Sequence, residues 1–465
     1  MAGKLSLRHI NSINDLQNAE LEAVFALADK YLTTLADPAS PHKVGRSTDV
    51  AQGRILATIF LEPSTRTRLS FESAMHRLGG SVITSADPAT ASTAKGESLA
   101  DTVKIASGYA DIIVLRHPRD GAARLAADYA NVPVINGGDG AHEHPTQTLC
   151  DLFTLLREHK HLKGLNVAVQ GDLKGSRTIH SFVYALARFK ANLMLMPAKG
   201  MELPEHVDAR LREEFGLQVA PKSAHGGDTS IDALYVTADE PHQLALMPGL
   251  EVTVPVDPNR VDAIYMTRFQ KERWAGDAKD YPKVDAKFLE APKYKKTSVM
   301  HPLPRVGELD ATLDSDDRAA YFKQASYGVP VRMALIALVL GLDDAALGRF
   351  GGGFRERDEP LYDNPPGEGL SCPNPNCICH DPLERQQVRS RFHHVGGKLR
   401  CYYCETDVST FVLADRSTGH YAAETAAPRK RSAKAAAGIV PFADAAAAED
   451  AGFAAPVDEP KAARR

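Results

Sequence analysis

The stretch Phe60-Leu-Glu-Pro-Ser-Thr-Arg-Thr-Arg-Leu69 places two guanidinium groups, Arg66 and Arg68, among three hydroxyls, Ser64, Thr65 and Thr67. That combination binds anions, because a forked guanidinium meets phosphate oxygens two at a time and the hydroxyls add short donors. The apolar run from Ile55 to Leu61 reads as a buried strand. After the turn, Phe71, Ala74, Met75 and Leu78 fall on one helical stripe, closed by Gly79-Gly80. Ser64 is expected to cap this helix, whose first-turn N–H groups and dipole favour negative charge at the same point. A phosphate-bearing substrate is the expected occupant. The plainer reading is a capped helix start with two solvated arginines.

Other candidates follow at the ends of predicted strands. Lys95 lies on a loop of small and polar residues, where a solvated surface charge is the ordinary reading. Arg116 ends the strand Asp111 to His117, at the edge where open parallel sheets bind ligands. In Gly137-Gly-Asp-Gly-Ala-His-Glu-His-Pro-Thr-Gln147, Pro145 suits a first helical turn, so His144 stands at a helix mouth as a cleft residue or a plain cap. Arg177 occupies a second strand-to-helix turn, one that lacks the G-x-G-x-x-G spacing of a dinucleotide site. Strand Ala263 to Thr267 delivers Arg268-Phe-Gln270, and strand Ser298 to Met300 delivers His301-Pro-Leu-Pro-Arg305.

The elements that must position these residues alternate in strand and helix through most of the chain, with a largely helical segment expected over 11–50. This predicts an α/β protein of two doubly wound parallel-sheet domains. A helix from about Pro330 to Gly341, apolar nearly all round, must be buried against the first half. At 465 residues the chain can hold two to four domains. Its net charge of -4 gives no basic excess for nucleic acid or an anionic membrane. Neither the polar N-terminal segment nor the longest apolar run, Met333 to Leu340, suits export or a membrane span, so a soluble, cytoplasmic protein is expected.

Five of the six cysteines lie between Cys372 and Cys404, beyond a Gly/Pro-rich linker. Cys372-x4-Cys377 and Cys401-x2-Cys404 have the spacing of a closed, structural, tetrahedral zinc site, with Cys379 and His380 as spare ligands. So small a module is expected to need its metal to fold.

Taken in order, Ser64-Thr-Arg-Thr-Arg68, Lys95-Gly-Glu, Arg116-His-Pro, His144-Pro-Thr-Gln147, Arg177, Arg268-Phe-Gln270 and His301-Pro-Leu-Pro-Arg305 resemble the carbamoyltransferases, over roughly residues 5–345. Arg268-Phe-Gln-Lys-Glu-Arg273 and the His-Pro-Leu-Pro-Arg motif point to the aspartate-specific branch rather than the ornithine one. The resemblance implies transfer of the carbamoyl group of carbamoyl phosphate to L-aspartate, in pyrimidine biosynthesis. It implies that Ser64, Thr65, Arg66 and Thr67 hold the phosphate and that Arg116 and His144 reach the carbonyl oxygen, with Gln147 also binding substrate. Arg177, Arg268 and Gln270 would bind the carboxylates, and the carbonyls of Pro302 and Leu303 the amino groups. No catalytic cofactor or metal is implied. Lys95 would enter a neighbouring subunit's site in a homotrimer, and Glu62 would pair with Arg177 or Arg273 across two closing domains.

Two departures stand out. Ala91 or Ser92 could occupy the family's serine position in the Lys95 loop, and the stretch 219–261 is longer than the family needs. The cysteine segment resembles the zinc domain of the aspartate carbamoyltransferase regulatory chain, here fused to a catalytic chain, which implies a route to assemblies beyond the trimer. The nucleotide-binding domain that precedes it in the family has no room in the linker, so no CTP or ATP site is expected. The expected domains are 1–147 for carbamoyl phosphate (completed by 326–345), 148–325 for aspartate, a linker at 346–370, the zinc module at 371–417 and a disordered tail at 418–465. A catalytically silent scaffold is the competing reading; intact Arg66, Lys95, Arg116, His144 and Arg268 argue against it.

Overall fold

Short apolar runs bounded by turn residues become strands, and each amphipathic segment between them lies over a sheet face. The computed structural model describes residues 9–86, 92–220, 233–237, 260–268, 281–343, 360–364, 368–385, 387–395, 397–423 and 438–455. The first half runs α1 (Asn18–Thr34), β1 (Ile55–Phe60), α2 (Thr65–Arg77), β2 (Ser81–Ser85), α3 (Leu99–Ala106), β3 (Ile112–His117), α4 (Ala122–Tyr129), β4 (Val134–Asp139) and α5 (Pro145–His159). Its four strands pair in parallel in the order β2-β1-β3-β4. Coverage by helices explains why β1 and β3 read as unbroken apolar runs.

The second half continues with β5 (Asn166–Gly171), α6 (Arg177–Arg188), β6 (Asn192–Pro197), α7 (Glu205–Glu213), β7 (Leu217–Ala220), β8 (Ala233–Thr237), β9 (Ala263–Met266) and β10 (Ser298–Met300). These strands form one sheet in the order β10-β9-β5-β6-β8-β7. The expectation of a parallel sheet holds for β10, β9, β5 and β6. It needs correction at the edge, where β8 pairs antiparallel with both β6 and β7.

Helix α8 (Tyr321–Val339) closes the first half by packing on α1, α2 and α5. It begins nine residues before the expected start, and Pro330 lies inside it. An internal proline forfeits a helical hydrogen bond. Here buried residues on both sides, Tyr327 and Val331 to Leu338, hold the helix together regardless. Two further expectations near the N-terminus are revised, a helix cap at Asn14 or Asp15 and a largely helical segment over 11–50. Gln17 is the N-cap of α1, in a capping box with Glu20, while Ser12 caps a short turn at Ile13–Asp15. The segment after α1 is a hairpin, Ala36–Asp37 with Ser40–Val44, rather than helix.

The cysteine module adds β11 (Leu361–Asp363), β12 (Arg391–Val395), β13 (Lys398–Cys401) and β14 (Asp407–Val408), an antiparallel sheet in chain order. Strand β11 falls in the stretch expected to be linker. A second small sheet, β16-β15-β17, joins β15 (Val412–Asp415), β16 (His420–Ala423) and β17 (Ile439–Phe442), backed by α9 (Ala445–Asp450). Residues 420–423 and 438–455 therefore correct the expectation of a disordered tail. Val412, Val440, Phe442 and Phe453 supply a small core that the Ala-rich composition concealed. The Ala433 to Ala437 run, whose composition suggests a transient helix, lies outside the described residues.

The module docks on the first half. Asp120 accepts from Ala141 N and from the side chains of Asn374 and Asn376, while its own backbone pairs with Asn376 and Ile378. Gly121 (φ 81°) permits this approach, since a Cβ there would lie 2.5 Å from the Tyr403 carbonyl carbon. The module also reaches the second half: Arg210 of α7 pairs with Glu405 at 2.5 Å, and Arg400 pairs with Glu214.

Candidate functional site

One cavity of about 690 Å³ collects the loops that follow β1, β3, β4, β5, β9 and β10, all at strand carboxyl ends. Ser64, Thr65, Arg66, Thr67, Arg116, His144, Gln147, Arg177, Arg268, Pro302 and Leu303 all line it. Lys95 is exposed and stands outside the lining of its own chain's cavity. Gln270 and Arg273 lie outside the described residues.

Helix α2 presents its N-terminus to this space. Ser64 occupies the N-cap position, yet its side chain makes no capping hydrogen bond, which corrects the expected role and leaves the hydroxyl on the cavity wall. Arg66 donates to the Leu303 carbonyl at 2.8 Å, joining the loops after β1 and β10. Leu303 adopts φ 49°, a backbone region uncommon for a branched side chain, at the turn carrying this carbonyl.

Glu62 lies 2.7 Å from Arg177 and 3.2 Å from Arg116, tying an arginine from each half to one carboxylate. Arg177 also donates to the Gly140 carbonyl at 2.6 Å. Gly138 (φ 113°) makes this crowding feasible: a Cβ there would meet Arg116, His144 and Arg177 at 2.9, 3.2 and 3.3 Å.

His144 is the N-cap of α5, and its Nδ1 accepts from the Gln147 backbone N–H at 3.3 Å. That bond fixes the tautomer, so Nε2 carries the proton. Nε2 lies 3.4 Å from Thr67 Oγ1. Burial, reinforced by Arg116, Arg177 and Arg332, holds the His144 pKa well below the usual imidazole value. The ring is therefore a neutral donor at neutral pH. Burial and the Arg268 guanidinium likewise draw the Arg66 pKa below the usual arginine value. Five arginines on one cavity, Arg66, Arg116, Arg177, Arg268 and Arg332, make an anion trap.

Sequence reasoning missed Thr178, Gln324 and Arg332 as cavity residues. Arg332 had left a signal: a charge in the middle of an apolar helix. Its guanidinium donates to the Gly328 carbonyl and lies over the Phe71 ring. Gln324 fell before the expected start of α8 and so went unconsidered.

Comparison with known proteins fits this geometry. Residues 8–158 match "Aspartate/ornithine carbamoyltransferase, carbamoyl-P binding domain" and residues 243–339 match the corresponding "Asp/Orn binding domain". The catalytic subunit of aspartate carbamoyltransferase from Thermoplasma acidophilum is 44% identical over 342 residues, covering 72% of this chain and 99% of that protein. This chain belongs to the aspartate carbamoyltransferase family. The Methanocaldococcus jannaschii catalytic subunit is 43% identical over 334 residues, covering 71% of this chain and 97% of that protein. A solved structure of that subunit has a TM-score of 0.58 at 40% identity, covering 72% of this chain and 99% of that one. The Trypanosoma cruzi aspartate transcarbamoylase, solved with carbamoyl phosphate and aspartate, has a TM-score of 0.56 at 33% identity, covering 71% and 96%.

Residues 368–412 match "Aspartate carbamoyltransferase regulatory chain, metal binding domain". The family's catalytic and regulatory-type metal-binding parts are thus fused in one polypeptide. Within it, the sulfurs of Cys372, Cys377, Cys401 and Cys404 all lie within 4.8 Å of one another, and all four residues are buried and free of disulfides. Cys372 and Cys404 are 3.5 Å apart and Cys377 and Cys401 are 3.9 Å apart. Tetrahedral coordination at a metal–sulfur distance of about 2.3 Å puts sulfurs ~3.8 Å apart, so the four fit a metal ion. Cys379 stands beside this set, and the His380 ring is engaged by the Cys372 carbonyl. Among the described residues, no helix is long and apolar enough to cross a membrane.

Proposed function

We propose that this family member is an active aspartate carbamoyltransferase, transferring the carbamoyl group of carbamoyl phosphate to the amine of L-aspartate in pyrimidine biosynthesis. The observation that carries this reading is the lining of one cationic cavity by Arg66, His144 and Arg268 together. Ser64, Thr65, Arg66 and Thr67 hold the phosphate. Arg116 and the Nε2–H of His144 point donors at the carbonyl oxygen, and Gln147 binds the carbamoyl end. Arg177, Arg268 and Gln270 grip the two carboxylates, while the carbonyls of Pro302 and Leu303 orient the amino groups.

The aspartate amine attacks the carbonyl carbon, and negative charge builds on the oxygen facing Arg116 and His144. Donors placed there lower the barrier because they bind the tetrahedral species better than the planar carbonyl. The C–O bond to phosphate then breaks, and the departing phosphate takes the proton lost from the amine. Every step uses side chains and the phosphate itself.

Residues 1–147 with 326–345 form the carbamoyl phosphate domain and residues 148–325 the aspartate domain. The metal held by Cys372, Cys377, Cys401 and Cys404 is zinc, in a purely structural role. Exposure of Lys95 away from its own cavity supports a homotrimer in which it serves a neighbour's site. The metal module offers a route to a larger assembly. Six cysteines, none of them in a disulfide, support a cytoplasmic location. The test is product formation by the purified chain with aspartate and, separately, ornithine. Carbamoyl aspartate is expected with the first alone; transfer to ornithine, or to neither, overturns the reading.

A further inference from the structure

Asp151 lies on α5 just outside the cavity lining, fully buried, and every hydrogen bond its carboxylate makes to a side chain is from a donor. Gln147 Nε2 and Gln324 Nε2 donate to Oδ1 at 2.7 and 2.6 Å, and the Tyr265 hydroxyl donates to Oδ2 at 2.9 Å. These partners come from three elements: α5 itself, α8 and β9. Gln324 passes the connection on, since its Oε1 accepts from His301 N at 3.0 Å. Leu303 N donates to His301 Nδ1 at 2.8 Å, and the Leu303 carbonyl accepts from Arg66. One hydrogen-bonded path thus links Gln147 to Arg66, both of which line the cavity.

We propose that Asp151 is a positioning residue for carbamoyl transfer, its carboxylate fixing Gln147 on the carbamoyl phosphate side relative to the Tyr265 strand and the His301–Leu303 turn on the aspartate side. The proposal rests on the function assigned above. An ionised carboxylate accepts all three donors at once. A protonated one carries an O–H, which Oδ1 cannot bear without releasing a glutamine amide and which Oδ2 bears only if the Tyr265 hydroxyl turns its own proton away, so the tie to β9 is released or reversed. Asp151 therefore holds the two sides in register only while charged.

Burial opposes that charge, and the three hydrogen bonds and Arg332 only partly offset it, so the Asp151 pKa is pushed up to about 7. The surrounding groups titrate elsewhere. Burial raises the Cys150 thiol to about 11 and holds the Tyr265 phenol well above its usual range. Burial also keeps His144 and His301 below the usual imidazole value. The sign follows: kcat/KM falls as pH drops through about 7, because protonation weakens acceptance by Oδ1 and releases or reverses the tie to Tyr265.

The experiment uses the full-length chain with Asp151→Asn and Tyr265→Phe, measuring kcat, both KM values and the thermal midpoint from pH 6 to 9. Asp151→Asn keeps the shape of the side chain but removes the charge and replaces one accepting oxygen with an N–H donor. Its expected result is a tenfold or greater fall in kcat, loss of the inflection near pH 7, and a thermal midpoint close to that of the unmodified chain. Tyr265→Phe removes one hydrogen bond to the charged form and should move the inflection to higher pH, a readout that survives even if Asp151→Asn fails to fold. Unchanged kcat and pH profile in Asp151→Asn, or an unmoved inflection in Tyr265→Phe, overturns the proposal. An unmodified chain that forms no carbamoyl aspartate overturns the functional reading and this proposal with it; an active one with indifferent variants overturns the positioning role alone.

Discussion

Replacing His144 separates two jobs that one ring performs. Its Nδ1 accepts the Gln147 backbone N–H at the start of α5, and its Nε2–H faces the cavity. His144→Ala removes both. Loss of the cap costs about 1 kcal/mol of stability. Loss of one donor to the developing oxyanion costs about 3 kcal/mol of transition-state stabilisation, roughly a hundredfold in kcat. His144→Asn restores an oxygen that can cap the helix but is too short to return the donor. Its stability should therefore approach that of the unmodified chain, while kcat stays roughly a hundredfold down. Colorimetric detection of carbamoyl aspartate gives kcat, and a thermal scan gives stability. Because the ring is neutral at neutral pH, the inflection near pH 7 belongs to Asp151 and should persist unmoved in the asparagine variant. An asparagine variant with unimpaired kcat, or activity losses that track the thermal losses across both variants, would refute the assignment.

Three further expectations test other parts of the site. Arg268→Ala should raise the KM for aspartate roughly tenfold to a hundredfold, since a charge-assisted hydrogen bond contributes about 1.5–3 kcal/mol; steady-state kinetics with each substrate varied should show little change for carbamoyl phosphate. Lys95→Ala and His144→Ala should each be nearly inactive alone, yet regain activity when mixed, unfolded and reassembled, because some hybrid sites would combine an intact Lys95 with an intact His144; absence of recovery refutes shared sites. Stripping the metal with a strong chelator, or Cys404→Ser, should unfold the module and expose it to protease, with elemental analysis of the untreated chain giving one zinc per polypeptide.

The strands were legible wherever burial on both faces demanded an unbroken apolar run, as at Ile112–His117 and Ile55–Phe60. Turn chemistry identified the ends from which Arg116, His144, Arg177 and Arg268 reach the cavity. Helix α8 was legible only after its proline, because Tyr-Phe-Lys-Gln-Ala-Ser at its start shows no single apolar stripe and Pro330 reads as a stop. The small core around Val440 and Phe442 was hidden because its partners, Val412 and Phe453, lie outside the local window. Asp151 was invisible for a related reason. Two of its three donors lie 114 and 173 positions away, and on a helix a lone aspartate four residues after a glutamine reads as surface.

The docking of the metal module on the lobes of its own chain has a consequence for stoichiometry. In an assembly of separate chains such a contact would be set by mass action and would come apart on dilution. Here the two surfaces share one backbone, so each faces a fixed local concentration of the other, and a contact too weak to survive between free proteins can stay formed at any concentration. Every catalytic unit is synthesised with its module in a one-to-one ratio, and no imbalance in expression can leave one without the other.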